Sequence, residues 1–179
     1  MRVPLIFRHT GRIAGDQTSE IPINQFDFFP TILEYLGFAD IKVENSPGES
    51  FTEVLSGPDE LPERRAIFHE YITIRVVRTE RWLYQKAFML GEDALYDLES
   101  DPGQRENLVG QPEYNDIVTQ LDRRLNEFFR QYADPRYDLW QGGTAKLRLL
   151  GADDQEIFAQ RFPGWQTPGL GFDQTVYSD

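Results

Sequence analysis

The sequence lacks cysteine entirely, and this absence excludes several kinds of site from its 179 residues. Disulfide bonds, thiolate metal sites and a cysteine nucleophile are all ruled out. Histidine is also scarce, since only His9 and His69 are present. No HxH or HExxH spacing occurs, so we do not expect this chain to hold zinc by itself.

Positive charge is the next shortage: 18 Lys and Arg residues are outnumbered by 30 Asp and Glu residues, giving a formal net charge of −12. Such a chain repels nucleic acid and anionic membranes, so neither is an expected partner. Long apolar runs are missing as well, whereas a membrane helix needs about 20 apolar residues. The apolar run at 3–7 is shorter than the roughly 7–15 residues of a signal-peptide core, so the sequence predicts no signal peptide and assigns no compartment.

The chain does contain enough apolar material for a packed core. Hydrophobic residues make up 40% and aromatics 13% of the sequence, which is typical of a folded domain. The run at 3–7 is continuous, as in a strand buried on both faces. Residues 24–37 predict a helix that is capped by Asp27, carries Pro30 in its first turn and ends at Gly37 in a left-handed cap. Its expected buried stripe is Phe29, Ile32, Leu33 and Leu36.

An antiparallel meander of three or four strands is predicted in the second part of the chain, because β-branched and aromatic residues alternate there. The strands are expected at 66–71, 73–78, 82–88 and 94–98, with a hairpin loop at 79–81. A long helix over 114–132 follows, since apolar residues recur every three or four positions. Its stripe consists of Ile117, Leu121, Leu125, Phe128 and Tyr132. Burying this stripe on the sheet stabilises both elements, and Pro135 ends the helix.

Few residues suggest chemistry. His69 and Glu70 are neighbours on a predicted strand, where successive side chains point to opposite faces, so they do not form a catalytic pair. Neither a G-x-S-x-G motif nor a glycine-rich phosphate loop occurs. Four basic residues gather on the meander and either form a positive patch for an anionic group or lie on a solvated face. They are Arg75, Arg78, Arg81 and Lys86.

The string ALYDLESDPGQRENL at 94–108 is the most specific stretch of the sequence. It begins as the last strand of the meander, turns at Asp101-Pro102-Gly103 and leads into the long helix. We therefore interpret it as a connector between two structural elements and not as an active site.

Several stretches together resemble the sulfatase family. RVPLIFRHTGRI at 2–13, followed by FDFFPTILEYLGF at 26–38, is similar to the family's VPL-type strand and the D-x-x-P-T helix after it. RAIFHEY at 65–71 and IRVVRTERWLYQ at 74–85 resemble its C-terminal hairpin. LYDLESDPGQRENL at 95–108 resembles its LYDLxxDPxExxNL element. The resemblance covers roughly residues 2–132.

The resemblance implies an alkaline-phosphatase-like α/β fold, of which this chain is mainly the C-terminal α+β part. Residues 1–37 are then the last strand and helix of the N-terminal catalytic domain, and 38–65 are an irregular connection with a short helix near 50–55. Residues 66–133 form the subdomain in which an antiparallel sheet of three to four strands is packed by the long helix. Residues 134–179 are a wrapping tail.

Sulfatases use a formylglycine made from a C/S-x-P-x-R motif, together with a bound calcium ion. This sequence has no such motif; its nearest string, SDPGQR at 100–105, places the arginine one residue too late. The resemblance therefore implies a segment of a sulfuric ester hydrolase without nucleophile or metal ligands, so whether it is itself an enzyme stays open. Its expected partners are the missing N-terminal catalytic domain and a sulfated substrate. The candidates for substrate contact are His69 and Arg75.

Two alternatives stay open at this point. In the first alternative, the parent protein is a phosphodiesterase or phosphonate monoester hydrolase of the same superfamily. The nucleophile decides between these chemistries and sulfate ester hydrolysis, and this sequence does not contain it. Otherwise, the chain is a non-enzymatic module that binds anionic glycans through the basic residues of the meander.

Overall fold

The computed structural model describes residues 3–57, 66–89, 91–143 and 149–163. Its α-helices are α1 (Gln25–Tyr35), α2 (Thr52–Ser56), α3 (Asn115–Tyr132) and α4 (Ala152–Arg161). Its strands are β1 (Ile67–Tyr71), β2 (Ile74–Arg78), β3 (Trp82–Ala87) and β4 (Ala94–Asp97). Short 3-10 turns cover Pro112–Tyr114 and Leu139–Gln141. No described helix is both long and apolar enough to cross a bilayer.

The four strands form an antiparallel meander in the order β1-β2-β3-β4, as predicted. The register pairs Phe68 with Val77, Val77 with Tyr84, and Tyr84 with Leu95. Because side chains alternate along a strand, these four residues share one face of the sheet. We call it the helix face, since α3 packs on it, and we call the other the opposite face.

The main core lies between the helix face and α3, which confirms the predicted long helix. Leu121 and Leu125 of the predicted stripe are buried against Val77, Tyr84 and Leu95. Phe128, also in the stripe, stacks on Phe68 of β1, with ring centroids 4.0 Å apart. Each fully buried aliphatic side chain contributes about 1.5–3 kcal/mol, so the sheet and the helix depend on each other.

Helix α1 is confirmed, but its start differs from the prediction. Asn24 is the N-cap, and its backbone N–H donates to Asp27 Oδ2 at 2.8 Å, so Asp27 is the third residue of a capping box and not the cap itself. Pro30 therefore lies in the second turn. Gly37 has φ +87°, which confirms the predicted left-handed C-terminal cap.

The buried side of α1 is polar, contrary to the predicted apolar stripe. Asp27 Oδ1 accepts a hydrogen bond from the Glu49 backbone N–H at 2.9 Å, and Thr31 Oγ1 accepts one from the Phe51 N–H at 3.0 Å. These bonds fix the connection that leads into α2. Phe29 and Leu36 of the predicted stripe are 52% and 61% exposed because the helix turns its polar side towards this connection.

The predicted strand at 3–7 is not formed in this structure. Residues 3–9 have no regular secondary structure, and Ile6 is 86% exposed. A strand needs a neighbour for its backbone hydrogen bonds, and none of the four described strands lies beside this segment. Ring contacts hold the segment instead: the Phe7 ring lies 5.6 Å from that of Phe51, and the His9 ring lies 5.8 Å from that of Tyr35.

The segment after α3 is more ordered than the predicted wrapping tail, as far as the structure describes it. A second small core contains Phe88 at the end of β3 together with Leu139, Leu150 and Phe158. Helix α4, which supplies Phe158, was not predicted. Trp165 and Phe172, two of the tail's aromatic residues, lie outside the described residues.

Candidate functional site

Arg75, one of the two predicted substrate contacts, lies in a buried ion-pair centre. Its side chain is on the helix face of β2, and the residue is 6% exposed. Its Nε donates to Glu70 Oε2 at 2.6 Å, and its Nη2 donates to Asp138 Oδ1 at 2.5 Å. The guanidinium also lies 3.9 Å from the ring centroid of Phe129 and 4.6 Å from that of Trp140. Arg75 thus joins the sheet, α3 and the segment after α3.

Asp138 organises the loop that meets Arg75. Its carboxylate also accepts from the Trp140 backbone N–H at 3.0 Å and from Gln141 Nε2 at 2.8 Å. Burial alone would raise the pKa of Asp138, but the hydrogen bonds from Arg75 and Gln141 outweigh burial and lower it. The carboxylate therefore stays charged and holds the loop against the sheet. Sequence reasoning missed Asp138 because its partner is 63 residues away.

His69, the other predicted contact, lies on the opposite face. It pairs with Val76 across β1 and β2, whereas Arg75 pairs with the adjacent Glu70, so His69 and Arg75 point away from each other. The structure does not bring these two predicted residues together around one ligand. The His69 side chain is exposed, yet nearby protein atoms desolvate its ring enough to lower its pKa.

The other basic residues of the meander do not form one positive patch with Arg75. Arg81 pairs with Asp97 at 2.8 Å and with Glu99 at 3.5 Å. Lys86 is on the helix face and pairs with Asp122 of α3 at 2.5 Å. Arg75, Arg81 and Lys86 are thereby neutralised, which leaves Arg78 as the fourth cation.

A polar groove lies between β3 and α3, with an open volume of about 540 Å³. The Tyr84 hydroxyl lies at its base, 3.1 Å from Asp93 Oδ2 and 3.2 Å from Asp122 Oδ1. Burial and the two neighbouring carboxylates raise the pKa of Tyr84 far above its usual value. Tyr84 is therefore a hydrogen-bond donor that stabilises the carboxylates and not a base.

The string at 94–108 is a hydrogen-bonded connector, as predicted. Asp101 Oδ2 accepts from the backbone N–H groups of Arg105 and Glu106 at 2.6 and 2.9 Å. Asn107 Oδ1 accepts from the N–H groups of Leu95 and Val109, both at 3.0 Å. These side chains take the place of backbone partners in the turn between β4 and the entry to α3.

Replacing Asn107 with alanine is expected to lower the free energy of unfolding by at least about 1.5 kcal/mol, because three hydrogen bonds are lost and each contributes about 0.5–1.5 kcal/mol. The third is the bond from Asn107 Nδ2 to the Asp93 carbonyl at 3.1 Å. Urea denaturation measures the change. Gln120→Ala, an exposed change on α3, is the control and should alter stability little. Equal stabilities of the two variants would contradict the connector role of Asn107.

No three His, Asp or Glu side chains come together to hold a metal ion within the ranges that the structure describes. The formylglycine motif C/S-x-P-x-R is absent from the whole sequence. The geometry thus offers structural ion pairs on one face of the sheet and an exposed histidine on the other.

A family model described as N-sulphoglucosamine sulphohydrolase, C-terminal, matches residues 1–131. The chain belongs to this family. The sulfatase resemblance of the sequence is thereby confirmed, and the segment after α3 lies beyond the part that matches this sulfatase C-terminal family.

Two relatives of this sulfatase family member are named as sulfatases. The chain is 28% identical over 146 residues to an ulvan-active sulfatase of Formosa agariphila, covering 75% of this chain and 28% of that protein. It is 31% identical over 147 residues to an N-acetylglucosamine-6-O-sulfatase of Bacteroides thetaiotaomicron, covering 74% of this chain and 26% of that protein. The chain therefore spans between 26 and 28% of the length of these two relatives.

Solved structures show the same architecture. A phosphonate monoester hydrolase from Silicibacter pomeroyi aligns with a TM-score of 0.54 at 18% identity, covering 74% of this chain and 29% of that chain. A sulfatase of glycosaminoglycan metabolism in Bacteroides thetaiotaomicron aligns with a TM-score of 0.53 at 20% identity, covering 73% of this chain and 31% of that chain. At these identities the likeness shows the fold: the sulfatase C-terminal chain is the sheet-and-helix part of an alkaline-phosphatase-like fold.

Proposed function

We propose that this chain is the C-terminal part of a sulfatase-like enzyme that hydrolyses sulfate esters together with a catalytic α/β domain. The family match over 1–131 carries this proposal, because it coincides with the folded sheet-and-helix subdomain and the elements before it. The role of the chain is to complete the fold and to present one face of the sheet near the substrate.

In this proposal, the residues that break the ester bond belong to the catalytic domain. The chain has no C/S-x-P-x-R motif for a formylglycine nucleophile. Calcium, which the family resemblance implies, is assigned to the same domain. The metal would stabilise charge on the sulfate oxygens there, and this chain would support the site from its edge.

Exposed apolar side chains support docking on a second domain. Phe28 and Phe29 of α1, together with Leu36 after it, are exposed on one helix. Val3 and Ile6 near the start of the described chain are also exposed. Covering apolar surface contributes roughly 25 cal/mol for each Å² removed from water, so such a surface favours a permanent interface.

The proposed substrate is a sulfated saccharide. The names of the two relatives above refer to carbohydrates. One is an ulvan-active sulfatase, and the other is an N-acetylglucosamine-6-O-sulfatase. A phosphonate monoester hydrolase shares the fold, so the fold alone does not separate the two chemistries. The relatives in sequence favour the sulfatase reading.

The purified 179-residue chain is expected to show no turnover of an aryl sulfate ester, with or without added calcium, because the nucleophile belongs to the catalytic domain. Release of the phenol is followed by absorbance, and an aryl phosphonate monoester is assayed in parallel. A blank containing calcium but no protein sets the background. Calcium-dependent turnover of either ester by the chain alone would contradict the proposal.

A further inference from the structure

We infer that Arg78 and His69 together form a contact site for the anionic group of a sulfated saccharide on the opposite face of the sheet. This inference rests on the proposed function and names the residues through which this chain touches the substrate. It replaces Arg75, which the sequence singled out, with Arg78.

Three of the four basic residues on the meander are already paired with carboxylates. Arg75, Arg81 and Lys86 each form an ion pair with a carboxylate at 2.8 Å or less. Arg78 has no carboxylate within ion-pair distance among the residues that the structure describes, and its side chain is half-buried. A guanidinium that is already paired has little free energy to gain from a sulfate, so Arg78 is the available cation of the four.

The register of the sheet places His69 and Arg78 near each other on the opposite face. His69 of β1 pairs with Val76 of β2, and Ile67 of β1 pairs with Arg78 of β2. The second pair lies two residues from the first along each strand. The two side chains are therefore diagonal neighbours on one face, where such positions lie roughly 7–8 Å apart. Gln85 of β3 pairs with Val76 and shares this face. Side chains at this spacing are close enough to contact one ligand together.

The side chains of Arg78, His69 and Gln85 offer complementary hydrogen-bonding groups. The planar guanidinium of Arg78 donates two parallel hydrogen bonds to an oxyanion such as a sulfate ester. His69 has a lowered pKa, so its ring is neutral at pH 7 and can donate to and accept from a sugar hydroxyl. The Gln85 amide offers a donor and an acceptor of the same kind. One cation with neutral polar groups suits a saccharide that carries one sulfate.

The chain as a whole is strongly negative. At a formal net charge of −12, the protein repels an anionic saccharide over most of its surface. Attraction for an anion is therefore expected where a cation lies free of carboxylates. On the meander that place is around Arg78.

The inference is tested by titrating the isotopically labelled 179-residue chain with N-acetylglucosamine 6-sulfate and following amide and histidine signals by NMR. Unsulfated N-acetylglucosamine and inorganic sulfate are titrated separately. We expect shifts of His69, Arg78 and Gln85 with the sulfated sugar. Arg78→Gln should weaken binding about tenfold, because one charge-assisted contact is lost, and His69→Gln should weaken it severalfold.

Arg136→Gln is the control, because it removes the same charge from an exposed arginine that pairs with Asp134 elsewhere on the surface. It should leave binding unchanged. His69→Gln alters an exposed side chain, so it keeps the test valid if Arg78→Gln fails to fold. Shifts that map to the groove of Tyr84 and Lys86, unchanged affinity in both variants, or no binding of the sulfated sugar would each overturn the inference. None of these results alters the turnover test, which tests the proposed function separately.

Discussion

Replacing Asp138 with alanine should lower the free energy of unfolding by about 3–5 kcal/mol, the usual cost of removing one partner from a buried ion pair. Arg75 would keep Glu70 as its remaining partner, but its Nη2 would lose its acceptor in a site that is 6% exposed. The Trp140 N–H and the Gln141 amide would lose their acceptor as well. Urea unfolding followed by tryptophan fluorescence measures this effect.

Two variants separate the ion pair from its surroundings. Asp134→Ala removes a carboxylate that pairs with Arg136 at the exposed surface, so it should change stability little. Asp138→Asn keeps an oxygen acceptor for the Trp140 N–H while removing the charge, so its loss should lie between those of the two alanine variants. If Asp138→Ala is as mild as Asp134→Ala, Arg75 does not anchor the segment after α3.

Local patterns in the sequence predicted most of the fold because the corresponding structure is also local. The spacing of Leu121 and Leu125 defines the buried stripe of α3, and the alternation around Tyr84 defines β3. Helix α4 was missed, although Asp153 and Asp154 in its first turn are a signal that could have marked its start.

The sequence says least about features that depend on distant residues. The apolar run at 3–7 forms a strand only where another strand offers hydrogen bonds, and the sequence cannot show whether one does. The ion pair of Arg75 depends on distance in the same way, because Asp138 lies 63 residues away along the chain. Alternation along β2 already places Arg75 and Arg78 on opposite faces, but only the folded structure shows that Arg75 is paired with Glu70 and Asp138.

The second large effect is expected from Gly48→Ala. A Cβ atom at this position would lie 2.0 Å from the Phe26 carbonyl oxygen and 3.2 Å from Pro30 Cγ. Pro30 lacks the N–H that would otherwise bond this carbonyl four residues earlier in α1, so the connection at Gly48 packs directly against the exposed oxygen. The hydrogen bond from the Glu49 N–H to Asp27 Oδ1 at 2.9 Å holds the two backbones together at this point.

We expect Gly48→Ala to lower the free energy of unfolding by about 3 kcal/mol, at the upper end of overpacking effects, and to expose the amides of α1 to hydrogen exchange. Gly15→Ala is the matched control, because a Cβ atom there meets nothing within 4 Å. It should leave both stability and exchange unchanged. Retained protection of α1 in Gly48→Ala would mean that the connection can move away from the helix, and the polar packing between them would then not determine how α1 is held.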